Sequence, residues 1–592
     1  MTRMMRFLEG RARHDVARAG TLLSVLFVLR SASIPGDAAT HRERAAADPD
    51  FGPNVTIFDP TTAAASIQSK LDSVFASQES SEFGEARFAL LFKPGTYDVD
   101  AKVGFYTQLS GLGLSPDDVV INGGISADAR WKKGNATLNF WRIVENMSVV
   151  PTGGFDRWAV SQAAPMRRMH IRGDLVLDDG GWSSGGFLAD SKVDGQVKSG
   201  SQQQWLTRNS DLGSWAGSNW NMVFVGTASA PSQSFPAPPY TTVASAPLIR
   251  EKPFLYVDAG GAWNVFVPAF RSNSIGTTWS GSRAPGVSHP IGDFDIVKPG
   301  TSVSAMNDAL ARNRNLIITP GVYHLDVPLH VTRANTIVLG LGLSTFVADS
   351  GSRAITVDDV DGVVIAGMLV EAGAANSPIL IQVGVPGSTA NHARNPTLLS
   401  DVFVRIGGAG VGKAAQSVVI NSNNVVGDHL WLWRADHGRG VGWTSNTAEN
   451  GLVVTGNDVT MYGLFVEHYQ GYQVVWSGNG GRTYFFQNEM PYDVPDQSQW
   501  MSGATKGFAA YHVAPSVATH EAWGLGSYCF FNRNPSIVAD RAFEAPVTPH
   551  VRFHDMVTVS LGGGKGTIAH IFNEKGLAAT AAASVQQLVG EP

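Results

Sequence analysis

A chain of 592 residues leaves room for two or more large domains, and its 43% hydrophobic and 16% charged residues exclude an intrinsically disordered protein. The formal net charge of −6, with no long block of lysine or arginine after the first twenty residues, argues against nucleic acid and anionic membrane surfaces as partners. The single cysteine, Cys529, excludes an internal disulfide framework and a cysteine-based zinc site.

The N-terminal segment has the order of a secretory signal. Five arginines come within the first 18 residues, the apolar run 21–29 follows, and small residues surround Ala38. The apolar run is too short to span a bilayer. We therefore expect residues 1–48 to be a signal peptide with a disordered leader, and the mature protein to be secreted.

Two sequence patterns occur twice, 226 and 229 residues apart. FKPGTYDV at 92–99 is echoed by ITPGVYHL at 318–325, and GLGLS at 111–115 returns at 340–344. An amphipathic segment that predicts a short helix precedes each copy, at Ala65–Phe75 and at Val303–Ala311. Copies at this spacing indicate two domains of similar architecture in tandem.

Short β-prone runs follow each copy and recur every 20 to 30 residues, as at 336–339, 362–365 and 417–420. Such runs, separated by Gly, Asn and Asp, predict coils of a parallel β-helix, in which each coil buries its face only by stacking on the next. A Greek-key sandwich also uses short strands, but it does not explain the long repeat. We therefore predict an all-β protein of two tandem right-handed parallel β-helices of the pectate-lyase-like type.

The segment 229–300 is rich in Pro, Ser and Gly, and we place the crossover between the domains there. The first β-helix domain, with this crossover, is predicted to span 49–285. The second, which carries the candidate catalytic acid, is predicted to span 286–592.

The densest group of polar and aromatic side chains lies between positions 431 and 492. It comprises Trp431, Trp433, Asp436, His437, Trp443, Glu467, His468, Tyr469, Tyr472, Trp476, Glu489 and Tyr492. Aromatic faces beside carboxylates suit a sugar site, because the apolar faces of a sugar stack on the rings while the acids act on the glycosidic oxygen and on water. The same aromatic residues could also serve plain packing on the flank of a β-helix.

Glu467 and Glu489 are 22 residues apart, about one coil of the predicted β-helix. Residues one coil apart lie near each other on the same flank, so the two carboxyl groups can converge. Inverting glycosidases need one protonated carboxyl at the leaving oxygen and a second group that activates water. The alternative is that each glutamate is a solvated surface residue.

Three segments around these glutamates resemble glycoside hydrolase family 55: WLWRADH at 431–437, EHYQGYQ at 467–473 and QNEMPY at 487–492. QQWLTRN at 203–209 and SQA at 161–163 are similar to segments of the first domain of that family. The matches keep one order across both halves of the chain.

The resemblance implies a β-1,3-glucanase, exo-acting and inverting, with its active site in the cleft between the two β-helices. Glu489 then matches the general acid, and Glu467 matches a carboxylate that helps to hold the attacking water. We expect burial to keep Glu489 protonated while Glu467 stays ionised. The predicted substrate-binding residues are Gln162, Gln203, Trp433, Asp436, His437, Trp443, Tyr472 and Tyr492.

Two other classes remain open at this stage. A β-helix polysaccharide lyase would need an acidic calcium cluster and basic residues along its cleft. A non-catalytic glycan-binding surface protein would keep the aromatic platform without the chemistry. The only partner that we expect is a polysaccharide or oligosaccharide, bound by a monomer without cofactor or metal.

Overall fold

The computed structural model describes residues 47–281 and 285–591. The predicted signal segment, 1–48, therefore lies outside the described residues except for its last two positions. No helix among the described residues is long and apolar enough to cross a bilayer.

The first half is a stack of parallel strands around an apolar interior. Its central sheet consists of Val55–Phe58, Phe88–Phe92, Thr107–Gly111, Arg142–Pro151, Ser161–Ile171, Gly185–Ala189, Gln204–Arg208, Asn221–Val225 and Tyr240–Val243. The flanking strands are Gly95–Lys102, Val119–Ser126, Phe155–Arg157, Asp174–Val176, Lys192–Lys198 and Asp211–Ala216. All pairings within this stack are parallel, as a β-helix requires.

The second half contains two long parallel sheets. The first consists of Phe294–Val297, Asn315–Ile318, Val322–Leu325, Ile337–Ala348, Val364–Ala372, Leu398–Ile406, Val426–Arg434, Thr460–Glu467, Gly481–Glu489, His520–Cys529 and Val551–Ser560, with Val585–Glu591 added antiparallel. The second consists of Leu329–Val331, Ile355–Val357, Ser377–Val383, Ala414–Ile420, Ala448–Val454, Val474–Trp476, Tyr511–Val513, Val538–Glu544 and Thr567–Phe572. The predicted tandem β-helix fold is confirmed.

Short elements connect and cap the two stacks. Antiparallel strands occupy the crossover at Ala246–Ile249, Phe254–Val257, Trp263–Pro268, Arg271–Ser274 and Gly286–Pro290. A hairpin pairs Met501–Ser502 with Thr505–Lys506, and 3₁₀ turns lie at Pro116–Asp118, Arg130–Lys132, Ile291–Asp293 and Gln497–Gln499. The two predicted helices are present as Ala64–Gln78 and Val303–Ala311, and the second begins at the capping residue Ser302.

A column of bend residues turns successive strands of the second half at one corner. The column comprises Gly367, Asp401, His429, Gly463, Phe485, Gly524 and Asp555, all with positive φ. Glycine is required where this corner meets the first half, because a Cβ on Gly463 would lie 2.8 Å from the ring of Phe187. The corner therefore packs directly against the first half.

Apolar side chains fill three spaces: the interior of each β-helix and the junction between them. The junction is rich in aromatic side chains from both halves, among them Phe140, Trp141, Trp431 and Trp433. Strand Val426–Arg434 is buried along its whole length, because one face points into its own coil and the other into the junction. The cleft described next opens at the edge of this junction.

Candidate active site

A cavity of about 210 Å³ lies between the two halves of the chain. Its lining residues are Thr137, Leu138, Phe140, Gln162, Ser184, Gln203, Trp431, Trp433, Asp436, His437, Glu467, His468, Glu489, Tyr492 and Leu561. The first six come from the first β-helix and the other nine from the second. Most of the predicted site residues are therefore brought together in one cleft.

Glu467 and Glu489 end two neighbouring strands, Thr460–Glu467 and Gly481–Glu489. Phe465 is paired with Gln487, so the two glutamates, each two residues further along, lie at the same height on adjacent coils. The backbone N–H of His468 donates to the carbonyl of Glu489 at 2.8 Å and continues this alignment. The one-coil spacing predicted from the sequence is thus realised.

Glu489 lies among polar and aromatic groups of the second half. The hydroxyl of Tyr492 donates a hydrogen bond to Oε2 of Glu489, and Nε2 of His468 lies 3.8 Å from the same oxygen. Burial raises the pKa of Glu489, and the hydrogen bond from Tyr492 opposes that shift. A carboxyl with a raised pKa can hold a proton for a leaving group, which is the property that a general acid needs.

Glu467 lies deeper in the cleft, with only 2% of its surface exposed. Nε2 of Gln162 donates to its Oε1 at 3.1 Å, and the indole N–H of Trp431 donates to its Oε2 at 2.8 Å. Burial and the nearby Glu489 nevertheless raise its pKa well above the usual value. The predicted division of charge, with Glu489 protonated and Glu467 ionised, stays a prediction, because the pKa of both carboxyl groups is raised.

The two glutamines of the first half present unpaired acceptors to the cleft. Within the described part of the chain, Oε1 of Gln162 and Oε1 of Gln203 are buried and have no hydrogen-bond partner. Gln162 also has a φ of +35°, an unusual backbone conformation for a residue with a side chain. Buried acceptors without partners are atoms at which a ligand or a water binds favourably.

Asp436 and His437 form a charged pair at the rim. Nδ1 of His437 lies 2.9 Å from Asp436, and its Nε2 is hydrogen-bonded to Glu82 of the first half. Although burial opposes the charged ring, these two carboxylates raise the pKa of His437 to about 10. His437 is therefore a cation at neutral pH, and it links the two sides of the cleft.

Aromatic rings form one wall of the cavity. Trp431 and Trp433 stack with their centroids 5.0 Å apart, and Phe140 packs against both rings. Phe83, from the segment that follows the first helix, is parallel to Trp433 at 6.3 Å. Phe83, Glu82 and the cleft residue Ser184 were all missed by sequence reasoning, because none of them belongs to a recognised motif.

Trp443 and Tyr472 do not line this cleft, contrary to the prediction. They lie in a separate groove of about 540 Å³ on the second half, together with Phe508 and Met501. Tyr472 is held there by a hydrogen bond to Ser502 at 2.9 Å. Both residues are close in sequence to the site, but the chain turns to another flank between Asp436 and Trp443 and again after His468.

Comparisons with known proteins agree with this geometry. Residues 294–489 match the family described as the LAM55 pectate lyase-like domain. An exo-β-1,3-glucanase from Streptomyces sp. SirexAA-E is 55% identical over 89% of this chain and 87% of its own length. The structure of sacteLam55A from that organism matches with a TM-score of 0.90 and 53% identity, covering 92% of this chain and 99% of the other. A variant of sacteLam55A solved in complex with glucose matches with the same values. The chain therefore belongs to glycoside hydrolase family 55, as its ordered motifs predicted.

Proposed function

We propose that this protein hydrolyses β-1,3-glucans from the end of the chain and releases glucose. The observation that carries the proposal is the position of Glu489, a carboxyl of raised pKa in a narrow cleft built by both halves. The similarity to a bacterial exo-β-1,3-glucanase, and the glucose bound to a variant of sacteLam55A, support the substrate class.

Glu489 acts as the general acid in this proposal and protonates the glycosidic oxygen as the bond breaks. Tyr492 then stabilises the carboxylate that Glu489 becomes, because its hydroxyl already donates to Oε2. A water that donates one hydrogen to the unpaired Oε1 of Gln162 or Gln203 and the other to Glu467 would direct a lone pair at the anomeric carbon. Glu467 accepts the proton that this water loses.

Inversion at the anomeric carbon follows from the bonding of Glu467. Both of its oxygens already accept N–H groups, from Gln162 and from Trp431. An oxygen held in this way, with 2% of the side chain exposed, is suited to receiving a proton and poorly suited to forming a covalent bond with the sugar. Water is therefore the nucleophile in the proposed reaction.

In the proposed active form the two glutamates together carry one proton, which Glu489 holds, and Glu467 is ionised. Since burial raises the pKa of both groups, the pair takes up its first proton at a higher pH than isolated glutamates do. Activity should fall at low pH, when both groups are protonated, and at high pH, when both are ionised. We expect a bell-shaped pH profile.

The small cavity favours action at chain ends, because it has room for about one hexose ring and closes against the aromatic wall. The rest of the glucan would leave towards Trp182, which is 66% exposed and lies two residues before Ser184 of the cleft. The cavity lining among the described residues includes no lysine or arginine, which disfavours a lyase acting on uronates.

Secretion and a monomeric state also belong to the proposal. The basic, apolar and small-residue order of the first 39 positions supports export to the extracellular medium. An extracellular site is also where a polymer too large to enter a cell is degraded.

Proton NMR of a laminarin digest tests the reaction directly. Inverting exo-hydrolysis predicts glucose as the first product, initially as the α-anomer. Release of the β-anomer first would disprove inversion, oligosaccharides as the first product would disprove exo action, and an unsaturated sugar would indicate a lyase. Pectin and an α-glucan, run in parallel, should give no product.

A further inference from the structure

His429 and Asp401 lie at the corner where the second half meets the first. They occupy equivalent positions in the strands Leu398–Ile406 and Val426–Arg434, as two successive members of the column of bend residues. Both side chains are fully buried. Neither side chain lines the catalytic cavity.

The imidazole of His429 bridges the two halves of the chain. Its Nδ1 lies 3.0 Å from Oδ1 of Asp401, and its Nε2 lies 3.0 Å from the backbone carbonyl of Gln162 in the first half. Both partners are acceptors, so the ring satisfies both contacts only when each nitrogen carries a hydrogen. Burial lowers the pKa of His429, and the two acceptors, Asp401 and the carbonyl of Gln162, oppose that shift and favour the doubly protonated ring.

The ring has little freedom to turn. It stacks on Phe187 with centroids 4.4 Å apart and planes within 6°, and the edges of Phe403 and Phe465 lie against it. Asp401 is fixed in turn by Arg167, which contacts both of its oxygens at 2.7 to 3.0 Å. The position of Nε2 is therefore fixed by Phe187 and by Asp401, which Arg167 holds in place.

The contact with His429 fixes the backbone of Gln162. Its backbone, at φ +35°, persists only where neighbours fix it, and the His429 ring contacts the carbonyl of that peptide unit. The side chain of Gln162 holds Glu467 through Nε2 and presents Oε1 to the cleft. A contiguous chain of hydrogen bonds thus runs from Asp401 through His429 and Gln162 to Glu467.

We propose that His429, oriented by Asp401, is a positioning residue that holds Gln162 and Glu467 in the geometry needed to activate water. This inference rests on the proposed hydrolysis. In this proposal His429, a buried residue outside the cleft, affects the activation of water, whereas the residues that line the cavity bind the sugar. Loss of the contact should therefore lower kcat and spare KM.

Two nearly isosteric variants separate the contacts of the ring. The amide nitrogen of asparagine can replace Nδ1 and keep the contact with Asp401, whereas that of glutamine can replace Nε2 and keep the contact with Gln162. His429→Asn should lower kcat on laminaritriose by about 10- to 100-fold with KM within about twofold of wild type. His429→Gln should recover kcat to within about fivefold.

His520 supplies the matched control, because it is another buried histidine, but its ring packs on Trp476 and Tyr511 inside the second half. His520→Asn and His520→Gln should change thermal stability without changing kcat, when all variants are assayed well below their unfolding midpoints. Equal kcat in the two His429 variants, or an equal loss of kcat at His520, would overturn the inference. If the wild type releases no glucose, the proposed function fails and the inference that rests on it fails too; if the wild type releases glucose and the two His429 variants have equal kcat, the inference alone fails.

Discussion

Arg208 joins the two halves of the chain through a buried ion network. It is fully buried, and its guanidinium donates to both oxygens of Asp428 at 2.9 Å and to both oxygens of Glu251 at 2.7 and 2.8 Å. A fifth hydrogen bond goes to Asn209. Arg208→Met should therefore leave two buried carboxylates without their main partner.

The expected loss of stability follows from the burial of the ion pair between Arg208 and Glu251. Although burial opposes ionisation, Arg208 and its neighbours lower the pKa of Glu251 from 4.5 to about 2. Arg271 and Arg167 also contribute to this lowering of the pKa, and removal of one partner of a buried ion pair costs roughly 3–5 kcal/mol. We expect Arg208→Met to lower the free energy of unfolding by about 3 kcal/mol.

Urea unfolding followed by tryptophan fluorescence measures this loss, with Arg172→Met as the control. Arg172 is 39% exposed and pairs with Asp117 at 3.0 Å, so its removal should cost less than about 1 kcal/mol. A loss below about 1 kcal/mol in Arg208→Met would refute the argument that the network stabilises the junction.

Three further predictions concern single side chains. Tyr492→Phe removes a hydrogen-bond donor that lowers the pKa of Glu489, so the decline of activity at high pH should move to higher pH. An unchanged decline would show that Tyr492 does not set the pKa of the acid. Burial raises the pKa of Asp156 to about 8, so its contribution to stability is present below pH about 4 and is lost as the pH rises towards 8. Asp156→Asn should raise the unfolding temperature at pH about 8 and leave it unchanged at pH about 4, whereas a decrease at pH about 8 would contradict the assignment. Trp182→Ala should raise KM for laminarihexaose about fivefold, because about 1 kcal/mol of stacking between a sugar and the ring is lost. KM for laminaribiose should not change, since this shorter substrate does not reach Trp182. Equal effects on the two substrates would show that the glucan chain does not pass Trp182.

The repeated architecture was readable from the sequence because it depends on local signals. The two copies of the Pro-Gly-x-Tyr pattern mark equivalent coils, and the helix at Val303–Ala311 was predicted with its observed bounds. Stacked coils also convert a spacing of 22 residues into proximity, which is why Glu467 and Glu489 could be paired in advance. The solenoid makes this part of the site predictable.

Features that depend on the junction were not readable. Glu82 contacts His437 only because the first half packs against the second, and no pattern in the sequence predicts that contact. Trp443 and Tyr472 lie close in sequence to the site yet occupy another groove, since a loop can leave the flank of its strand in either direction. The burial of Glu467 likewise results from packing across the junction.

The role of Glu489 as the general acid is tested by the turnover of Glu489→Gln. On laminaritriose, Glu489→Gln should lose at least about a hundredfold in turnover with an unchanged unfolding temperature. The control Glu449→Gln, a change at an exposed residue of the second groove, should keep wild-type activity. On 2,4-dinitrophenyl β-glucoside, which places the dinitrophenolate directly at the bond that breaks and whose leaving group needs no proton, Glu489→Gln should retain most of its activity. Wild-type turnover of laminaritriose by Glu489→Gln would show that Glu489 is not the general acid and that the cleft between the two halves is not the site of hydrolysis.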